Sequence, residues 1–247
     1  FAEMGMFINR GGPVPSVHSF AQSTMGWTFL AFMAVTLFGA FVVFAWRIDS
    51  IKGGEKVESI MSREGAFLVQ NFLFLTVALV TLWGTIYPVL ADAFLDDQIT
   101  VGKPFFNTVN GPILLSIVFL MGVGPLLPWR RASARSALRL LRYPIATALL
   151  LTSLLILFGV RNPVPLVALA VISIGVAGIT RELVQGTLSR HRKGERIYRA
   201  FILLLTGNRP RYGGYLVHLG IAMVSVGVVG SSFFAVQRDF SISVGQE

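Results

Sequence analysis

Residues 27–46 read WTFLAFMAVTLFGAFVVFAW, twenty residues without a charge, opened and closed by tryptophan. A helix of that length, at ~1.5 Å per residue, reaches ~30 Å and matches the hydrocarbon core of a bilayer. Tryptophan favours the two membrane–water interfaces, which accounts for its place at both ends. A helix that is apolar all the way round belongs in lipid or in a large core. With 54% hydrophobic and 13% charged residues in 247, the chain is too apolar for a soluble domain. The stretch therefore predicts an all-α, polytopic transmembrane helix bundle.

Similar runs recur on its C-terminal side. Spans are expected at about residues 66–90, 112–127, 144–160, 164–180 and 215–234, making about six in all. Residues 91–110 form an acidic, aromatic loop with Asp92, Asp96, Asp97, Phe105 and Phe106, and residues 161–163 form a tight turn. The run IYRAFILLL at 197–205 is apolar but too short to cross, which suits one short interfacial helix. Five regions follow from this pattern. Residues 1–26 are an outer segment, 27–180 hold five transmembrane helices, and 181–214 form a basic segment with the interfacial helix. Residues 215–235 make a sixth transmembrane helix, and 236–247 begin a further outer segment. Starting on Phe1 with no signal-like n-region, the chain reads as an internal fragment of a longer polypeptide.

The net charge is +9, but the basic residues fall in short segments between apolar runs, which speaks against nucleic acid as a partner. Segments 47–63, 130–142 and 181–211 hold 4, 5 and 8 of the 21 Lys and Arg residues. The alternate loops hold only Arg10, Lys103, Arg161 and Arg238. The positive-inside rule then puts the three rich segments in the cytoplasm and both chain ends outside. Arg63, Arg209 and Arg211 read as anchors of this kind, with pairing to an anionic group as the other use. There are no cysteines, so disulfides and thiolate metal sites are excluded. No paired carboxylates lie within a span, and phosphate-cradling glycine loops and His–Glu metal spacings are absent.

The chain has three histidines. His218 stands in the stretch NRPRYGGYLVHLG (208–220), which reads as a basic loop feeding the last span. An ionisable group at membrane depth is costly and marks a functional candidate. Gly214, Ala222 and Ser225 share its face, and small residues there allow a helix or a flat macrocycle to come close. Two readings stay open: an axial ligand to haem iron, or a hydrogen bond to a neighbouring helix. His18 lies in an outer loop and, taken alone, reads as solvated, while His191 sits in a basic run and reads the same way.

Four stretches together resemble the CcmF family, the membrane haem lyase subunits of bacterial cytochrome c maturation. They are GMFINRGGPVPSVHSFA (5–21), SREGAFLVQNFLFLTVALVTLWGTIYPVL (62–90), ITVGKPFFNTVNGPILLSIVFLMGVGPLLPWRR (99–131) and NRPRYGGYLVHLGIAMVSVG (208–227). They come in family order. The resemblance implies that His18 is an axial ligand of a haem at the outer face and His218 an axial ligand of haem b within the membrane. It places the opposite ligands and a tryptophan-rich motif upstream of Phe1. It further implies haem lyase activity in the bacterial inner membrane, with apocytochrome c, a periplasmic haem chaperone and other maturation subunits as partners, beside membrane lipid. Such a lyase positions haem against the thiols of its substrate and needs none of its own, in keeping with the absence of cysteine. Two other readings are a transporter of haem or another small substrate, and a non-catalytic scaffold of the maturation complex. Beyond His218, Gln70 and Asn71 the spans offer few polar groups for a transport path.

Overall fold

The computed structural model describes residues 2–11, 25–51, 58–95, 97, 99–130 and 133–236. Among them the regular structure is all helical: α1 (Ala2–Gly11), α2 (Met25–Ile51), α3 (Arg63–Leu95), α4 (Lys103–Val123), α5 (Ala134–Leu157), α6 (Pro163–His191), α7 (Ile197–Gly207) and α8 (Arg209–Phe233). Six of these, α2 to α6 and α8, are long and apolar enough to cross a membrane. On α2, Phe38 and Phe41 are 70% and 68% exposed, and Trp27 and Trp46 bracket that surface at 77% and 79%. Such a face is stable only in an apolar medium. The chain is an all-α, multi-pass membrane protein.

The helices are longer than the apolar runs within them, and several expected limits move. Pro112 and Pro144, expected to open spans, lie inside α4 and α5. A proline in a membrane helix is tolerated when another group takes up the carbonyl it orphans. For Pro144 that carbonyl belongs to Leu140, four residues earlier, and it accepts from Arg181 Nη1 of α6 at 3.3 Å. The aromatic pair expected in a loop is also helical. Pro104 sits in the first turn of α4, where its missing N–H costs nothing, so Phe105, Phe106 and Asn110 belong to that helix. Finally, α6 continues past Thr180 to His191, which makes 181–191 helix rather than interruption.

Contacts divide the chain into two compact units, residues 1–56 with 75–111 and residues 57–74 with 112–247. In the first, α1 packs on α2, and Thr36 Oγ1 donates to Glu3 Oε2 at 2.7 Å. There too, Gly84 of α3 is buried against the rings of Phe105 and Phe106. Asn110 Nδ2 donates to Thr81 Oγ1 at 3.1 Å.

In the second unit α6 is the hub, with α5, α7 and α8 all packing on it. The connection from α5 turns at Gly159 (φ 94°), and Asn162 caps α6 by accepting from Val164 N at 3.0 Å. Gly122 of α4 meets Gly175 of α6 backbone to backbone; a Cβ on Gly122 would fall 2.4 Å from the Gly175 Cα. The turn after α4 is held by Arg63, whose backbone N–H donates to Pro128 O at 3.0 Å and whose guanidinium donates to Pro125 O. That engagement gives Arg63 a structural task rather than a free charge.

Candidate functional site

α8 begins earlier than the sequence suggests. Asn208 accepts from Arg211 N at 3.2 Å, and Pro210 occupies the first turn, a cap-and-proline start that makes residues 209–214 helical. The glycines at 213 and 214 hide this, since each costs a helix about 1 kcal/mol against alanine. Tyr212 and Tyr215 offset it by burying against Ile179 of α6 and Leu204 of α7, edge to face with centroids 5.8 Å apart. Arg211 Nη2 forms an ion pair with Glu182 Oε2 of α6 at 2.7 Å, and its guanidinium lies over both tyrosine rings at 5.6 and 5.8 Å. Arg211 is thus committed to Glu182. Neither Glu182 nor the tyrosines stood out in the sequence, although Arg211 and Tyr215 are one helical turn apart, and Glu182 is a rare acid in a basic segment.

The corrected start moves His218. It is the tenth residue of α8, about 14 Å along the axis at ~1.5 Å per residue, rather than the fourth residue of a span. It sits between two anchored turns. Tyr215 packs in the Ile179 cluster, and Ala222 and Val229 pack with Ala168 and Ile172 of α6. The half-buried imidazole keeps Nδ1 out of reach of solvent, and Nδ1 has no hydrogen-bond partner among the described residues. A buried polar atom left unpaired costs about 1–3 kcal/mol, so it calls for an explanation. The small-residue face expected around His218 is divided. Ala222 is buried against α6, a side chain at Gly214 would meet nothing within 4 Å, and Ser225 Oγ donates to Ile221 O at 2.9 Å.

The other candidates are not brought to it. His191 ends α6 in the open, its Nδ1 2.7 Å from Glu195 O; a carbonyl only accepts, so Nδ1 carries the proton. Arg190 pairs with the same Glu195 at 2.9 Å. His18 lies outside the described residues. Among the described residues no group of three or more His, Cys, Asp or Glu side chains could hold a metal ion.

These features define a polytopic helical membrane protein in which, among the described residues, the half-buried His218 keeps an unpaired Nδ1 on a helix tied to the hub. No family model matches the chain. Curated proteins do. The chain is 32% identical over 248 residues to the cytochrome c-type biogenesis protein CycK of Rhizobium meliloti, covering 98% of this chain and 36% of that one. It is 31% identical over 244 residues to CcmF of Pseudomonas aeruginosa and 32% identical over 250 residues to CcmF of Escherichia coli, with 98% and 36% covered in each case. A solved structure described as cytochrome c heme lyase CcmF superposes with a TM-score of 0.62 at 29% identity, over 88% of this chain and 31% of that one. The chain is thus related along nearly its whole length to the CcmF-type cytochrome c-type biogenesis proteins, and it spans about a third of the length of the curated relatives it matches.

Proposed function

We propose that this chain forms part of a cytochrome c haem lyase and supplies, through His218, one axial ligand of a b-type haem within the membrane. The observation that carries the reading is the buried, unpartnered Nδ1 of His218, in a chain that CcmF-type proteins match over 98% of its length. The residues fit one side of such a group. A neutral imidazole is a standard axial donor to haem iron, and Gly214, one turn away, leaves open space beside it. Haem, when bound, supplies an iron that accepts imidazole nitrogen and vinyl groups that can be joined to thiols.

The chain's own task is positional. The Arg211–Glu182 pair and the Tyr212–Tyr215 packing fix the rotation and height of α8 against α6, and so the aim of His218. His18 is proposed as an axial ligand of a second haem at the outer face, where thiols of apocytochrome c and a periplasmic haem chaperone would be met. The proposed location is the bacterial inner membrane, with both chain ends outside, α7 lying at the cytoplasmic interface, and other maturation subunits as neighbours. Of the expected divisions, those at 1–26 and 236–247 are proposed as they stand, while the boundaries at 180/181 and 214/215 move to the end of α6 at His191 and the start of α8 at Arg209.

The test is the absorption spectrum of the protein purified from membranes. A b-type spectrum that is lost on His218→Ala and recovered in part with added imidazole supports the reading. An unchanged spectrum in that variant overturns it. For His18 the expected result of His18→Ala is loss of holocytochrome formation with the membrane haem retained.

A further inference from the structure

A separate face of α6, turned to α5, carries chemistry that the proposed haem site does not use. Pro144 frees the Leu140 carbonyl, and Arg181 takes it at 3.3 Å, which brings a guanidinium from α6 across to α5. That guanidinium lies 5.2 Å from the centroid of the Tyr143 ring. The guanidinium of Arg142 lies 4.5 Å from the same centroid, and its Nη2 donates to Tyr143 Oη at 3.0 Å. Two cations thus share one exposed aromatic ring, and among the described residues neither forms an ion pair with a carboxylate. Each guanidinium carries five N–H donors in a planar fork suited to phosphate, and these contacts occupy only some of them. Arg139 and Arg135, one and two turns back along α5, are exposed and add to the positive potential.

Arg181 lines a groove of about 670 Å³ between α5 and α6, and Arg142 stands beside it on the Tyr143 ring. Its lining includes Tyr143, Thr147, Val176, Ala177, Val184 and Gln185. On the N-terminal side of Arg181 it runs along α6 to Ser173, about 12 Å at ~1.5 Å per residue, a little under half of a ~30 Å hydrocarbon core. An apolar trough most of a leaflet long, beginning beside two cations, complements an amphiphile that has an acyl chain and an anionic head. Basic pockets between membrane helices take such headgroups.

We propose that the α5–α6 groove binds an anionic phospholipid, with one acyl chain along Thr147 and Val176 and the phosphate held by Arg142 and Arg181. The site is independent of the haem reading, so either can fail without the other.

The experiment places the purified protein in nanodiscs of phosphatidylcholine containing one tenth phosphatidylglycerol. It then measures, by mass spectrometry after a mild detergent wash, which lipid stays bound. Roughly tenfold enrichment of phosphatidylglycerol over its bulk share is expected, falling to the bulk ratio in Arg142→Gln. Arg181 also serves Leu140, so Arg181→Gln could disturb the helix pair; Thr147→Trp, which fills the groove and spares both arginines, is the second variant and is expected to lose the enrichment too. No enrichment in the parent protein overturns the proposal, as does enrichment that survives either Arg142→Gln or Thr147→Trp. Displacement of the bound lipid by millimolar inorganic phosphate would mark a free-anion site and overturn it as well.

Discussion

α6 and α8 pack side by side in the second unit, both are rich in glycine, and they use it in opposite ways. On α6, a Cβ at Gly175 would fall 3.0 Å from the Gly122 Cα, at Gly178 2.4 Å from Leu126 Cδ1, and at Gly186 2.9 Å from Leu204 Cδ1. On α8, a Cβ at Gly213, Gly214, Gly220, Gly227 or Gly230 would meet nothing within 4 Å among the described residues. Glycine on α6 is therefore a packing device, since close approach of backbones recovers dispersion energy that offsets its poor helix propensity. Glycine on α8 gains no such contact within the described chain, so its helical cost is not offset there. The unpaired imidazole of His218 stands on this second helix. A hub whose glycines are engaged in packing, beside a helix with one anchored face and one open face, is the arrangement expected where structure and function are divided between neighbours.

The comparison breaks most sharply at its tightest point. Gly175→Leu is expected to be the most damaging single change, because the clash is with backbone and neither helix can yield. A loss of about 3 kcal/mol or more, read as the midpoint of unfolding in a denaturing detergent, would be in keeping with severe overpacking. Gly186→Ala should cost less, about 1–2 kcal/mol, since the atoms it meets are the mobile end of Leu204 and, at 3.3 Å, the hydroxyl of Tyr212. Equal tolerance of both changes would deny α6 its role as hub.

His218→Leu separates the two helices in the other direction. Replacing an unpaired buried nitrogen by an apolar side chain of similar size is expected to leave the apoprotein's unfolding midpoint unchanged or raised by up to about 1 kcal/mol. The same variant is expected to lose the haem spectrum on the reading proposed above. A stability loss of the Gly175 class in apoprotein would make His218 a packing residue instead. Glu182→Gln should be milder in its effect on haem. Its pair with Arg211 is half exposed, so a loss of about 0.5–1 kcal/mol is expected, with a shift of the haem band in place of its disappearance.

How far the sequence carries this picture can be seen at particular residues. The uncharged run from Trp27 to Trp46 contains the whole argument for a membrane helix, and α2 follows it within a few residues. The six spans were legible for the same reason, as was the short apolar helix at 197–207. The limits were not, because proline and glycine read as breaks. Pro144 looks like the start of a span until Arg181 is seen on the Leu140 carbonyl, a contact 41 residues away in sequence. Asn208 and Pro210 did spell a helix start, but the two glycines that follow masked it. His218 was singled out from its cost alone, which is local physics. The committed partner of Arg211 and the division of the His218 face depend on how α6 lies, and no local pattern encodes that.

The smallest expected effect tests the open face of α8 directly. Gly220→Ala and Gly227→Ala add one methyl group each to positions where nothing lies within 4 Å. If that surface meets only lipid, each should stabilise the helix by about 0.5–1 kcal/mol, because alanine loses less backbone freedom than glycine on becoming helical. If the surface is instead a contact with another part of a longer protein or with a partner subunit, the same methyl groups will hinder close approach and the sign will reverse. Measuring both variants in detergent and again in membranes containing the maturation partners distinguishes the two. A gain in detergent that turns to a loss in the membrane would identify the glycine face as an interface, and would bring α8 closer to α6 in its use of glycine than the isolated chain suggests.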